Sequence, residues 1–134
     1  MFNWNELYWV DTYKVGHKSM LPVGSTLMQS NFTPRSGKNS NCPNENKIVS
    51  FGQQMLVRKI KEDWDINFFN KPIEFIDQFA KDMGNLLMWD HPIDVSHFKA
   101  LHQLGYLPIE IRAIQEGTLI PYKVPFYTIV NTQP

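Results

Sequence analysis

The chain has 134 residues, 43% hydrophobic and 19% charged, which fits one folded domain with a single modest core and excludes disordered and fibrous classes. Thirteen Lys and Arg balance thirteen Asp and Glu with no long run of one sign. That argues against nucleic acid or an anionic membrane as the main partner, and a net charge of zero weakly favours association. The single Cys42 cannot close an internal disulfide, and no Cys/His cluster has zinc spacing.

The opening Met1–Lys14 has no basic leader followed by an apolar segment, and no uncharged apolar run is long enough to cross a bilayer. A soluble, cytoplasmic protein is therefore expected. Phe2, Trp4, Leu7, Tyr8 and Trp9 suggest one or two helical turns leading into Asp11–His17, and Pro22 and Gly24 interrupt any helix there. Residues 25–33 alternate like a strand, which Pro34 must end, leaving Arg35 exposed just past it. Residues 36–46, SGKNSNCPNEN, are almost wholly polar and predict a loop that buries nothing.

Apolar residues then return at helical spacing, first as Phe51, Met55, Leu56 and Ile60. The stripe is stronger in Ile73, Ile76, Phe79, Met83 and Leu87, with Pro72 suited to that helix's first turn. A third helix is marked by Asp94 or Ser96 as N-cap, by Val95, Phe98, Leu101 and Leu104 on one face, and by Gly105 just past its end. From Leu107 the chain alternates through Ala113, turns near Glu116–Gly117, and continues as Thr118–Ile120 and Phe126–Val130. Those are two or three strands, antiparallel, whose apolar terminal edge would need a cover. With no internal repeat, the fold class is α+β: a small single domain over 1–134 with about three helices and an antiparallel sheet.

Asp11, Tyr13, Lys14 and His17 bring a carboxylate, a phenol, an ammonium and an imidazole within two helical turns, Asp11 with Lys14 on one side and Tyr13 with His17 on another. One reading is a solvated helix with a weak ion pair. The other is a ligand-facing edge whose aromatic ring stacks on a planar base. Arg35 with Ser36, Gly37 and Lys38 forms a basic turn able to wrap a phosphate, although Arg and Lys are common in surface loops and no Walker pattern is present. His97 and His102 are five apart on the third helix and point to different sides, so no metal site is expected. Glu110 reads as a solvent-facing strand residue, which makes acid-base chemistry with Glu116 improbable.

The segment Asp11-Thr12-Tyr13-Lys14-Val15-Gly16-His17 resembles the Asp-Ser-Tyr-Lys-Val-Thr-His stretch near the start of nicotinamide phosphoribosyltransferases, with Pro22 at the matching distance. The likeness continues through Phe32, Arg35 and Val49–Gln54, is densest over Leu107–Pro121, and ends in Phe126–Pro134, similar to the family's strand ending Asn-Thr-Asp-Pro. It fails mainly over residues 36–46 and 63–95.

The resemblance implies an amino-terminal portion of an enzyme that joins nicotinamide to phosphoribosyl pyrophosphate, giving nicotinamide mononucleotide and pyrophosphate in NAD salvage. In that family the active site lies at a dimer interface, and the opening segment reaches across to the other subunit's site. Tyr13 then matches the ring that stacks on nicotinamide, Asp11 a neighbouring polar contact, and Arg35 an arginine near the sugar phosphates, while Lys14 and His17 support the interface. The family's α/β barrel, with its second stacking aromatic and catalytic histidine, matches nothing here, so the resemblance assigns no catalytic residue to this chain. It implies inactivity alone, and magnesium used with phosphoribosyl pyrophosphate only in the complete enzyme. The expected partners are a second copy or a barrel-containing polypeptide. A non-catalytic self-association or interaction module, or a related enzyme for nicotinic acid, are the alternatives.

Overall fold

Two runs of sequence build a helical unit, and two others build a unit of strands. The computed structural model describes residues 5–42 and 45–134, so the opening Phe2 and Trp4 and loop positions 43 and 44 lie outside the described residues. The units are Met1–Val23 with Lys59–Leu107, and Gly24–Arg58 with Pro108–Pro134.

The first unit opens with two 3-10 helices, Glu6–Trp9 and Thr12–Met20. Asn5 starts the first of them, its Oδ1 accepting a hydrogen bond from Leu7 N at 2.9 Å, the usual service of an N-cap Asn. The second holds Val15 and Gly16, poor helix formers in a segment too short to be helical on its own, which is consistent with the tighter form.

Helix α1, Gln53–Trp64, begins in the second unit, ends in the first, and runs on into a π-helical turn over Asp65–Phe69. Helices α2, Glu74–Leu87, and α3, Ser96–Leu104, follow. The stripe Ile76, Phe79 and Met83 of α2 is buried as its spacing predicts, against Leu7, Val15, Phe68 and Val95. Phe68 stands edge-on to Phe69 and Phe75, with ring centroids 5.0 and 5.5 Å apart. Tyr8 meets Phe79 in the same way at 5.1 Å and donates its hydroxyl to Asp82 Oδ2 at 2.6 Å, fastening the first turn to α2.

Two helix starts differ in detail from the sequence expectation. Pro72 lies ahead of α2, whose cap position is Ile73, and its carbonyl accepts from Phe75 N at 3.2 Å. In α3 the cap backbone position is Val95, while Asp94 Oδ1 accepts from Ser96 N at 2.9 Å; the predicted capping carboxylate acts from one residue further out. Gly105 ends α3 at φ 80°, where a Cβ would be strained.

The second unit holds β1, Gln29–Phe32; β2, Lys47–Val49; β3, Ile109–Ala113; β4, Leu119–Pro121; and β5, Tyr127–Asn131. All pairings are antiparallel, in a three-stranded sheet ordered β1-β5-β3 and a two-stranded sheet β2-β4. Strand β5 lies in the middle, with Ile129 opposite Ser30 on one side and Ile111 on the other, so its apolar run is no open edge. Strand β2, directly after the polar stretch 36–46, has no strand signal in the sequence beyond Ile48 and Val49.

Glu116, half-buried, turns its Oε1 to the N–H groups of Gly52 and Gln54, at 3.1 and 3.0 Å, and so neutralises the start of α1 from a distant turn. Ser50 and the turn at Gly117 exchange backbone bonds of 2.8 Å alongside. The fold is α+β with antiparallel sheets, and the described residues form no closed barrel.

Candidate functional site

Helical spacing puts Asp11 with Lys14 and Tyr13 with His17 on different sides, yet Asp11 and Tyr13 border one hollow. The hollow is open, roughly 680 Å³, and lies in the first unit, with Val10, Leu87 and Trp89 as its other walls. Tyr13 is 66% exposed and Trp89 54%, so two large ring surfaces and a carboxylate face one space. Lys14 Nζ lies 3.4 Å from Asp11 Oδ2 and 6.0 Å from the centre of the Tyr13 ring, and the Tyr13 and His17 rings are 5.3 Å apart. The weak surface ion pair of a solvated helix is thus present, and the Tyr13 ring beside it is exposed.

Trp89 lies within the 63–95 stretch, where the resemblance fails, and nothing in composition or period singles it out. Backbone conformation places it. Helix α2 ends with Met88 in the left-handed region, φ 51° and ψ 37°, at a position that favours glycine. Met88 N donates to Asn85 O at 3.3 Å and Trp89 N to Gly84 O at 3.1 Å, the paired closing bonds of a Schellman turn.

Beyond Trp89 the loop borders a second hollow of roughly 580 Å³, lined among others by Val15, Lys18, His91, Ile93 and Asp94. Lys18 Nζ bonds Asp94 Oδ2 at 3.0 Å and Ser96 Oγ at 2.6 Å, which ties the 3-10 segment carrying Tyr13 to the start of α3. Ser96, through its hydroxyl and its backbone N–H, and then the Lys18 ammonium, holds the Asp94 carboxyl well below the usual carboxylate range. Burial pushes His97 below its ordinary value, helped by the charge on Lys18.

Arg35 belongs to the second unit. It is exposed, three residues past β1, next to Pro34, whose carbonyl accepts from Lys123 N at 2.8 Å. Gly37 is buried under Tyr122; a Cβ there would come 2.6 Å from the phenol oxygen. Ser40 N already bonds Gly37 O at 2.9 Å, and Cys42 N bonds Ser40 Oγ at 3.0 Å. The Arg35 and Lys38 side chains of this turn are exposed.

His102 Nε2 donates to Lys71 O at 2.8 Å beside Phe68 and Phe75, and His97 lies near Lys18 and Asp94, so the two imidazoles serve separate surroundings. Among the described residues no group of three or more His, Cys, Asp or Glu side chains is placed to hold a metal ion, and no helix is long and apolar enough to cross a membrane.

No protein-family model matches the chain. It is 36% identical over 135 residues to the nicotinamide phosphoribosyltransferase of Acinetobacter baylyi, an alignment covering 98% of this chain and 27% of that protein. The chain thus spans about a quarter of the length of the curated relative it matches. Over nearly its whole length the chain is related in sequence to nicotinamide phosphoribosyltransferase, in a manner consistent with an amino-terminal portion of it.

Proposed function

We propose that this chain supplies the amino-terminal part of a cytoplasmic nicotinamide phosphoribosyltransferase, in which Asp11 and Tyr13 contact nicotinamide and Arg35 contacts the phosphates of phosphoribosyl pyrophosphate. The observation that carries the reading is the hollow shared by Asp11 and Tyr13, the two residues the resemblance marks, in a chain 36% identical to such an enzyme. An exposed phenol ring suits a flat pyridine, and a carboxylate suits an amide N–H or a cationic ring. A planar, permanently charged guanidinium suits a phosphate.

Catalysis needs nucleophile, sugar phosphate and leaving group held together, and this chain supplies only part of that arrangement. Magnesium would enter with the sugar substrate in the complete enzyme, since the described residues form no metal cluster of their own. The chain acts as one member of a homodimer or beside a barrel-containing polypeptide.

The test is formation of nicotinamide mononucleotide from nicotinamide and phosphoribosyl pyrophosphate, by the chain alone and by the chain completed with the barrel-containing polypeptide. Product only from the completed enzyme, with nicotinamide KM raised in Tyr13→Ala, is expected. Unchanged KM and kcat in Tyr13→Ala would remove the role given to that ring. The exposed Phe51 and Met55, 78% and 74% accessible, favour a second reading as a non-catalytic self-association or interaction module. A stable complex with a full-length enzyme, and no gain of activity on completion with the barrel polypeptide, would select it.

A further inference from the structure

We propose that Lys18 is a positioning residue for nicotinamide binding, which by bonding Asp94 and Ser96 sets where the 3-10 segment presents the Tyr13 ring; this rests on the functional reading above and extends it to a residue outside the resemblance.

The segment Thr12–Met20 needs support from outside itself. It runs nine residues in the 3-10 form, whose poorer hydrogen-bond geometry rarely holds beyond about three or four, and it contains Gly16. Three residues per turn put Val15 and Lys18 on one face and Tyr13 on another. Val15 is 3% exposed and belongs to the same buried cluster as Val95, whereas His17–Met20 are all exposed beside the hollow of roughly 580 Å³. Burial therefore pins the segment at Val15, and one pinned residue leaves the segment free to turn about it.

Lys18 supplies a second fixed point one turn later. Its Nζ lies 3.0 Å from Asp94 Oδ2 and 2.6 Å from Ser96 Oγ, and Asp94 Oδ1 in turn accepts from Ser96 N at 2.9 Å, so the ammonium closes a network on the first turn of α3. That helix is itself seated on α2, with the Phe98 and Phe79 rings edge-on at 5.9 Å. A lone exposed ion pair contributes little, but a network that includes a hydroxyl and a backbone N–H holds direction better. Lying on a face that Tyr13 does not share, these bonds aim the ring without occupying the hollow it borders with Asp11.

The experiment pairs steady-state kinetics of the completed enzyme with amide hydrogen exchange of the chain itself. Lys18→Met keeps most of the stem and removes the charge, and Asp94→Asn keeps an acceptor for Ser96 N. Each should raise the nicotinamide KM about three- to fivefold, with kcat and the KM for phosphoribosyl pyrophosphate within about twofold. Lys18→Arg should recover most of the loss, and Lys18→Met should add nothing in a Tyr13→Ala background. Exchange of the amides over 12–20 should quicken by about the same factor in Lys18→Met, while that of α2 stays as in wild type. The unfolding midpoint shows that a variant folds, and Asp94→Asn answers the same question if Lys18→Met lowers it. Wild-type nicotinamide KM in the folded variants, unchanged exchange over 12–20, or a KM increase that persists in full on top of Tyr13→Ala each overturn the proposal while leaving the assignment of Tyr13 standing. Unchanged kinetics in Tyr13→Ala itself, or a wild-type completed enzyme that forms no product, removes the functional reading and this proposal with it.

Discussion

Phe79 has no solvent exposure and touches the ring edges of Tyr8 and Phe98, so its removal leaves a void that α2 cannot close by a rotamer change. Phe79→Ala should destabilise the chain by about 3–5 kcal/mol, measured as a lower urea midpoint at unchanged m-value. Tyr8, on the same ring, offers a pH signature. Burial, and then the hydrogen bond to Asp82 and its charge, push the Tyr8 phenol from 10.0 up to about 12. A pKa raised in the folded state gives stability that is present below pH 10.0 and is lost as pH rises toward about 12. Urea titrations of wild type and Tyr8→Phe should show wild type losing more stability between about pH 9 and about pH 11.5; parallel losses would mean the Asp82 bond does not persist in solution. Of the residues that line the hollow, Asp11 and Tyr13 were singled out in the sequence by the resemblance, while their spacing alone put them on different sides. Trp89, which lines the same hollow, was not, because the αL turn at Met88 that places it follows no propensity or period in the sequence.

Among the elements, those written by period came through and those written by long-range pairing did not. The α2 stripe and the Gly105 stop of α3 are local signals, and the structure carries both. Strand β2 exists because three residues just past the polar stretch pair with Leu119–Pro121 some seventy residues later, and the capping of α1 by Glu116 spans a similar distance. Neither leaves a local trace. The α2 terminus gives a test at this scale. Met88 is 89% exposed, so replacing it loses almost no packing, while its φ of 51° carries a cost that glycine lacks. The relief of roughly 1–2 kcal/mol exceeds the greater unfolded-chain freedom of glycine, about 0.4–1 kcal/mol, so Met88→Gly should stabilise by about 0.5–1 kcal/mol in chemical denaturation. A loss of stability instead would show that the turn is not held in the left-handed form.

For the whole molecule the surface decides more than the core does. In the strand unit Phe32, Phe51, Met55 and Leu119 are all more than half exposed, and in the helical unit Met20, Ile66 and Leu86 are as well. Scattered apolar residues are ordinary on a monomer, but so many large ones on a short chain, with zero net charge to keep copies apart, favour association. Light scattering should therefore give a mass of at least two chains of 15.7 kDa each. Charge placed on the patch supplies the control: Phe51→Glu with Met55→Lys should lower the mass toward one chain while leaving the Phe79 core, and hence the helical circular dichroism, intact. A wild-type mass of one chain at high concentration would mean that these side chains stay solvated, and would count against self-association as the way this chain covers its apolar surface. A dimer that survives both substitutions would place the contact on other residues, with Met20, Ile66 and Leu86 of the helical unit the next to be charged.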